Sequence, residues 1–199
     1  MTTDFVDIHT HNLQAPAGQA VINLPDTVLS GVPFSFREGA LYSVGIHPMY
    51  PGDWEQAFHA VETLAQRPEI VAVGECGLDK LSPVALETQQ DCFSRHIALA
   101  CQLQKPLIIH CVRAWDELLQ TLRRSPAGVT CIVHAFRGKP QLAQQLLRAG
   151  LYLSFGPRFN ADSLRLCPPD RRCAETDDSG LPVEAVLQSH SEALKRMQS

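Results

Sequence analysis

Six residues of types that bind divalent metal ions stand at or just after the carboxyl ends of predicted β-strands. His9 and His11 are two residues apart, so an extended chain points both side chains to one side, where they can bind one ion. The other four candidates are Glu75, His110, His134 and Asp177. Together these imidazoles and carboxylates can hold two divalent ions about 3.5–4 Å apart, with Glu75 bridging them. Such a pair activates a water molecule and stabilises the leaving oxygen of a hydrolysed ester.

The carboxylates near these histidines have different expected roles. Glu75 and Asp177 are both catalytic candidates. Because Glu75 is expected to bridge the two ions, Asp177 is the remaining metal-site carboxylate that can accept the proton of the attacking water. Asp7 shares the face of His9 one step deeper, and Asp79 closely follows Glu75. We expect Asp7 and Asp79 to accept hydrogen bonds behind the metal ligands and to orient them.

Eight short apolar segments predict the strands that position these residues. Several are apolar at nearly every position, which is typical of parallel strands buried on both faces. The predicted strands cover residues 5–9, 20–24, 41–46, 70–74, 107–110, 130–134, 151–154 and 172–176.

Helical spacing of apolar residues fills the later gaps between the strands. Predicted helices begin after Asp53, a plausible N-cap, and near residues 82, 115, 142, 162 and 182, the last one reaching Met197. This alternation predicts an α/β fold, a single (β/α)₈ barrel of the TIM type that occupies residues 1–199. Such barrels usually need about 250 residues, so we expect a trimmed one, without helices after its first two strands. An open doubly wound sheet is the alternative, but the chain has no glycine fingerprint for a dinucleotide.

Composition limits the classes of function. Of 199 residues, 45% are hydrophobic and 19% are charged, with a formal net charge of −4, as in a soluble globular protein. A negative balance excludes broad neutralisation of duplex phosphates, so any nucleic-acid role must rest on a local site. The 7 cysteines form no C-x-x-C pair, and we find neither a signal peptide nor an apolar run of the ~18 residues that a membrane span needs. We therefore expect a cytoplasmic protein with reduced thiols and no membrane partner.

An ordered set of short motifs gives the chain a family resemblance. The motifs are DIHTH at 7–11, GIHP at 45–48, GECGLD at 74–79, IHC at 109–111, HAFRG at 134–138 and ETD at 175–177. From about residue 5 to 178, this set resembles that of the TatD-type metal-dependent deoxyribonucleases, within the amidohydrolase-like barrels. The resemblance implies that His9, His11, Glu75 and Asp177 hold one ion, and that Glu75, His110 and His134 hold the other. It also implies metal-dependent hydrolysis of DNA phosphodiesters, often as a 3′–5′ exonuclease.

The chain departs from that family around the rim of the expected site. It is shorter between residues 12 and 40, Arg137 stands where the family commonly has serine, and Asp178 begins an altered tail after Asp177. Four rim residues are candidates for substrate contact: His47, Arg113, Arg137 and Arg158. As exposed loop cations, the arginines could equally be solvated.

Three functions are compatible with these residues. The first is a phosphodiesterase acting on DNA ends, and the second is a hydrolase of a small phosphoester, lactone or amide on the same metal core. A non-catalytic partner protein is the third, but structural metal sites are normally closed and need no bridging carboxylate. Mixed imidazole and carboxylate ligands suit Zn, Mn, Co or Ni in the isolated protein, while the resemblance suggests that Mg supports activity. We expect a monomer in which the apolar segment 28–36 covers the trimmed flank, with a homodimer as the alternative.

Overall fold

The computed structural model describes residues 6–126 and 128–195. Within these residues, eight strands form one parallel sheet in which each strand pairs with the next along the chain. They are β1 (Asp7–Thr10), β2 (Ala20–Asn23), β3 (Leu41–Val44), β4 (Ile70–Asp79), β5 (Leu107–Val112), β6 (Cys131–Val133), β7 (Tyr152–Phe155) and β8 (Arg172–Ala174).

The two outer strands of this sheet meet just beyond the end of β8, which nearly closes the barrel. The His11 N–H donates to the Asp177 carbonyl over 3.1 Å, and the Asp177 N–H donates to the His9 carbonyl over 3.0 Å. Thr10 and Asp177 form an isolated parallel bridge at the same place. The sequential strand order and this near-closure confirm the predicted barrel and contradict the open doubly wound alternative.

Helices follow the strands and cover the outside of the barrel. They are α1 (Asp26–Leu29), α2 (Trp54–Leu64), α3 (Leu86–Leu103), α4 (Trp115–Arg124), α5 (Pro140–Arg148), α6 (Ala161–Leu166) and α7 (Val183–Lys195). The predicted N-cap is confirmed, because the Asp53 carboxylate accepts the backbone N–H groups of Glu55 and Gln56. No helix within residues 6–126 and 128–195 is long and apolar enough to cross a membrane. Phe5 and Met197, at the ends of the predicted elements, lie outside the described residues.

One strand boundary differs from the prediction in a way that affects the site. β4 continues past Gly74 to Asp79, because its second half pairs with β5 through Gly77↔His110 and the residues that follow. Gly77 allows this close pairing: a Cβ there would lie 2.0 Å from the His110 carbonyl oxygen. Glu75 therefore lies inside a strand rather than after one.

The trimmed flank follows β2. The prediction that no helix follows β2 is wrong. A helix of a single turn, the four-residue α1, lies at the start of the β2–β3 connection. Farther along, Phe34 and Phe36 pack edge-to-face against Tyr42 of β3, with ring centroids 5.6 and 5.2 Å away. The short connection leaves α1 as the only helix between β2 and β3 in the described chain.

Candidate metal centre

Glu75 is the hub of the site and is 4% exposed. Its Oε1 lies 2.7 Å from His134 Nε2 and 2.8 Å from His110 Nδ1. Its Oε2 lies 3.3 Å from His9 Nε2 and 3.6 Å from His11 Nε2. Of the four predicted metal-binding imidazoles, one pair therefore faces each oxygen, which is the arrangement that a bridging carboxylate requires.

Asp177 completes the group on the β1 side. Its Oδ1 lies 3.6 Å from His11 Nε2 and 3.9 Å from His9 Nε2. The backbone turns sharply here, with Asp177 at a φ of 53°, just after the bonds that join this residue to β1. The turn places the carboxylate at the mouth of the barrel, where it is 18% exposed.

The outer nitrogens of two imidazoles face buried carboxylates. His110 Nε2 lies 3.2 Å from Asp79 Oδ2, and His134 Nδ1 lies 3.4 Å from Glu175 Oε1. Buried carboxylates behind two imidazoles orient the rings and direct their inner nitrogens toward Glu75. The inner nitrogens of His110 and His134 lie less than 3 Å from Glu75 Oε1, a contact that requires a proton or a metal cation between the two atoms. The carboxylate–histidine–metal arrangement is the form in which a metal ion replaces that proton.

A buried imidazole nitrogen without a hydrogen-bond partner indicates a cation on the β1 side as well. His9 is fully buried, and its Nε2 has no hydrogen-bond partner although it faces two carboxylates. Leaving such an atom unsatisfied costs about 1–3 kcal/mol, a cost that coordination of an ion removes. The donor set on both sides of Glu75 therefore fits divalent ions.

The pKa shifts of the cluster also indicate that it attracts positive charge. Burial opposes ionisation of Glu75, yet the charge of His134 and hydrogen bonds from His11, His110 and His134 hold the pKa of Glu75 well below its usual range. Burial likewise opposes protonation of His134, but Glu75 and Glu175 raise its pKa well above the usual value. The carboxylates stay ionised and draw positive charge to the centre of the cluster.

His47 reaches the same cluster in a different chemical form. Its Nε2 lies 3.4 Å from Glu75 Oε1 and 3.2 Å from His110 Nδ1. The Met49 backbone N–H donates to His47 Nδ1 over 3.1 Å, so in the neutral ring the proton is on Nε2. His47 lies at metal-ligand spacing from Glu75 and His110, but in this tautomer its Nε2 is a hydrogen-bond donor rather than a metal ligand, which sets His47 apart from the other site histidines.

A cleft of about 460 Å³ opens over the cluster. It is lined by His11, Asn23, Leu24, Pro25, Asp26, His47, Glu75, His110, His134, Asp177 and Asp178. Arg137 and Arg158 line a separate pocket of about 20 Å³ that shares Asp177 and Asp178 with the cleft, and Arg113 is exposed and lines neither. Of the arginines predicted to contact substrate, Arg137 and Arg158 therefore lie beside the cleft rather than in its lining, and the structure does not bring Arg113 to it.

Residues 35–188 match the family model described as TatD related DNase. The chain belongs to this family. The match confirms the resemblance carried by the ordered motifs, and it includes Glu75, His110, His134 and Asp177.

Curated relatives with similar sequences come from several bacteria. The chain is 34% identical over 137 residues to the 3′-5′ ssDNA/RNA exonuclease TatD of Klebsiella pneumoniae (strain 342), which covers 66% of this chain and 51% of that protein. It is 33% identical over 151 residues to the uncharacterized metal-dependent hydrolase YcfH of Escherichia coli (strain K12), covering 71% of this chain and 56% of that protein. The chain thus spans about half the length of the curated relatives it matches.

Solved structures support the fold. The TatD homologue YjjV of Escherichia coli K12 superposes with a TM-score of 0.70 at 22% identity, covering 98% of this chain and 96% of that one. A hydrolase TatD family protein from Entamoeba histolytica gives 0.64 at 18% identity, covering 88% and 74%.

Two residues that support this TatD-type cluster were missed in the sequence. Glu175 is fully buried and accepts the Ala135 N–H over 2.7 Å while facing His134. Its position two residues before Asp177 is the same i, i+2 spacing that singles out His9 and His11, and this spacing was the available signal. Asn23 accepts the Glu75 N–H over 2.9 Å, and nothing in the local sequence indicates that contact across 52 residues.

The two carboxylates predicted to orient ligands occupy different places. Asp79 faces His110, as expected, and its other oxygen accepts the Leu81 N–H over 2.7 Å. Asp7 accepts the backbone N–H and the hydroxyl of Thr176 over 3.0 and 2.7 Å. Asp7 thus fastens β1 to the residue before Asp177, and its contacts are with backbone and hydroxyl groups rather than with an imidazole.

Proposed function

We propose that this TatD-family chain is a divalent-metal-dependent phosphodiesterase that acts on DNA ends with 3′–5′ exonuclease-like polarity. The observation that carries the proposal is the split of the Glu75 carboxylate, whose two oxygens face two separate imidazole pairs. The name of the Klebsiella relative, a 3′-5′ ssDNA/RNA exonuclease, supports the substrate class and the polarity.

Two sets of ligands share Glu75 in this proposal. The first set is His9, His11, Glu75 and Asp177, and the second is Glu75, His110 and His134. Bound ions would lower the pKa of a water molecule and offset the charge that develops on the phosphoryl oxygens. The nitrogen-rich donor sets favour Zn, Mn, Co or Ni in the isolated protein, with Mg as a possible ion for activity.

Asp177 is the proposed general base. Its carboxylate lines the cleft and, unlike that of Glu75, is not enclosed by imidazoles, so a water molecule can reach it. The water oxygen attacks phosphorus, and its proton passes to Asp177. The bond from phosphorus to the leaving sugar oxygen breaks, and that oxygen takes up a proton from solvent, giving a phosphomonoester and an alcohol.

His47 is the proposed donor to a phosphoryl oxygen. The Met49 N–H fixes the proton on His47 Nε2, which points to the cluster from the cleft wall. A donor aimed in advance at developing negative charge stabilises the transition state without reorganising. We further propose that Arg137 and Arg158 contact a neighbouring phosphate from their adjoining pocket, and that exposed Arg113 contacts the strand beyond it.

A hydrolase of a small phosphoester, lactone or amide is the second candidate. The cleft holds about 460 Å³, in the range of small-molecule sites, and none of its described lining residues is a lysine or an arginine. This lining suits a compact substrate as well as one nucleotide at a strand end.

Turnover by chelator-stripped protein reloaded with Mn²⁺, Zn²⁺ or Mg²⁺ tests the proposal. Substrates are single-stranded oligonucleotides labelled at either end, p-nitrophenyl phosphodiesters, and ester and amide probes. We expect metal-dependent release of mononucleotides from the 3′ end, lost in Glu75→Gln and kept in Glu184→Gln, the same change at an exposed helix glutamate. Turnover of the ester or amide probes alone would favour the second candidate, and metal binding with no turnover would favour a non-catalytic protein.

A further inference from the structure

One wall of the cleft is specific to the trimmed flank. Leu24 and Pro25 follow β2, and Asp26 is the first residue of α1. Only Leu24 and Pro25 separate β2 from α1, so the first residue of α1 borders the cleft directly. Asn23, which holds the Glu75 N–H, joins this wall to the metal ligands.

The Asp26 carboxylate is close to the site and has unused hydrogen-bonding capacity. Within residues 6–126 and 128–195, its side chain makes no ion pair and no hydrogen bond. Asp26 is exposed to solvent where it lines the cleft. Partial desolvation raises the pKa of Asp26, while the charge of His47 lowers it, that of Glu75 raises it and that of His11 lowers it, so the carboxylate lies within electrostatic reach of these cleft residues. An ionised carboxylate only accepts hydrogen bonds, and it repels phosphate.

The charges around the cleft are therefore divided. Asp26 is the carboxylate on the β2 side of the cleft, whereas Asp178, on the other side, also lines the pocket that holds Arg137 and Arg158. A phosphate is favoured at the metal ligands and near His47, and a hydrogen-bond donor is favoured at Asp26. A cleft of this volume holds one nucleotide, which carries both kinds of group.

We infer that Asp26 is a specificity-determining residue that accepts a hydrogen bond from the free 3′-hydroxyl of the terminal nucleotide. This inference rests on the proposed function and deepens it, because it explains how a site with few cations recognises a strand end. Leu24 and Pro25 offer the apolar contact for the sugar beside that hydroxyl. A 3′-phosphate at the same place meets the Asp26 carboxylate and is repelled.

Binding of two nucleotides that differ by one hydroxyl group tests the inference independently of turnover. Calorimetry on the metal-loaded protein compares thymidine 5′-monophosphate with 3′-deoxythymidine 5′-monophosphate, since both carry the same phosphate and base. We expect the wild type to bind the hydroxylated ligand about 10-fold tighter, in line with a hydrogen bond to a charged group. Asp26→Ala should bring the ratio close to one, and Glu38→Ala, an exposed acid outside the cleft, should leave it unchanged.

Cleavage of oligonucleotides ending in a 3′-hydroxyl or a 3′-phosphate gives a second readout. The wild type should prefer the hydroxyl end, and Asp26→Ala should lose most of that preference. An affinity ratio of one in the wild type, or a ratio that Asp26→Ala leaves unchanged, overturns the inference even if DNA is hydrolysed. If the ratio shifts as expected but no diester is hydrolysed, the proposed function fails and the role of Asp26 stands. Absence of nucleotide binding by metal-loaded protein overturns both.

Discussion

Acidification should destabilise the barrel through His96, a fully buried histidine of α3. Its Nε2 accepts the Ile46 N–H over 3.0 Å, and its Nδ1–H donates to the Cys92 carbonyl over 2.8 Å. A second proton would replace the acceptor at Nε2 with a donor that faces the Ile46 N–H. Burial foremost lowers the pKa of His96 from 6.5 to about 4.

The sign and size of the effect follow from this lowered pKa. The unfolded chain takes up the proton near pH 6.5 and the folded chain only near pH 4, so stability is complete above pH 6.5 and is lost as the pH falls toward 4. At about 1.4 kcal/mol per pH unit, the loss reaches roughly 3 kcal/mol at pH 4, with about 2 kcal/mol already lost at pH 5. Because Ile46 precedes His47, the same proton would loosen the loop that carries the proposed substrate donor.

Urea unfolding of wild type and His96→Gln at several pH values between 7.5 and 5 measures this loss. Glutamine can accept the Ile46 N–H but does not titrate, so the other ionisable groups cancel in the difference between the two proteins. We expect the stability advantage of the wild type over the variant to shrink by about 2 kcal/mol across that range. A difference that stays constant with pH would refute the reasoning.

Three substitutions in the cluster should have distinct effects. Asp177→Asn should keep the fold and much of the bound metal but lower kcat at least ~10²-fold, as loss of a general base does, and near-wild-type turnover of the metal-loaded variant would place the base elsewhere. Glu75→Gln should lose metal and activity together. A full complement of ions in the purified variant, measured by elemental analysis, would contradict this prediction. Glu175→Gln should weaken metal affinity about 10- to 100-fold through His134, whereas the exposed Glu184→Gln should not, and equal affinities in calorimetry would exclude that support.

Much of the barrel could be predicted because buried parallel strands leave a simple pattern. Segments such as the one that forms β5 are apolar at successive positions, and the polar residue that ends the run marks the mouth of the barrel. This pattern predicts the positions of His110 and His134. It does not predict the end of β4, because the extension of that strand depends on pairing with β5 and on the close approach at Gly77, which local composition does not indicate.

The supporting contacts of the site were harder to predict than its ligands. Asn23 and Glu75 meet only because β2 and β4 lie near each other in the closed barrel. Arg137 and Arg158 lie in the loops after β6 and β7, whose paths the local sequence does not predict, so their residue type indicates a phosphate contact but not a position. Asp26 reaches the cleft because only two residues connect it to β2. No motif in the sequence marks this position.

The most direct test of the central claim is the number of divalent ions bound per chain, measured together with hydrolysis of single-stranded DNA. Elemental analysis should find a transition metal in the protein as isolated. Titration of chelator-stripped protein should then show two ions bound, with DNA hydrolysis appearing only as both are taken up. Full activity with one ion, activity that persists in chelator, or sites that only Mg²⁺ fills would contradict the account.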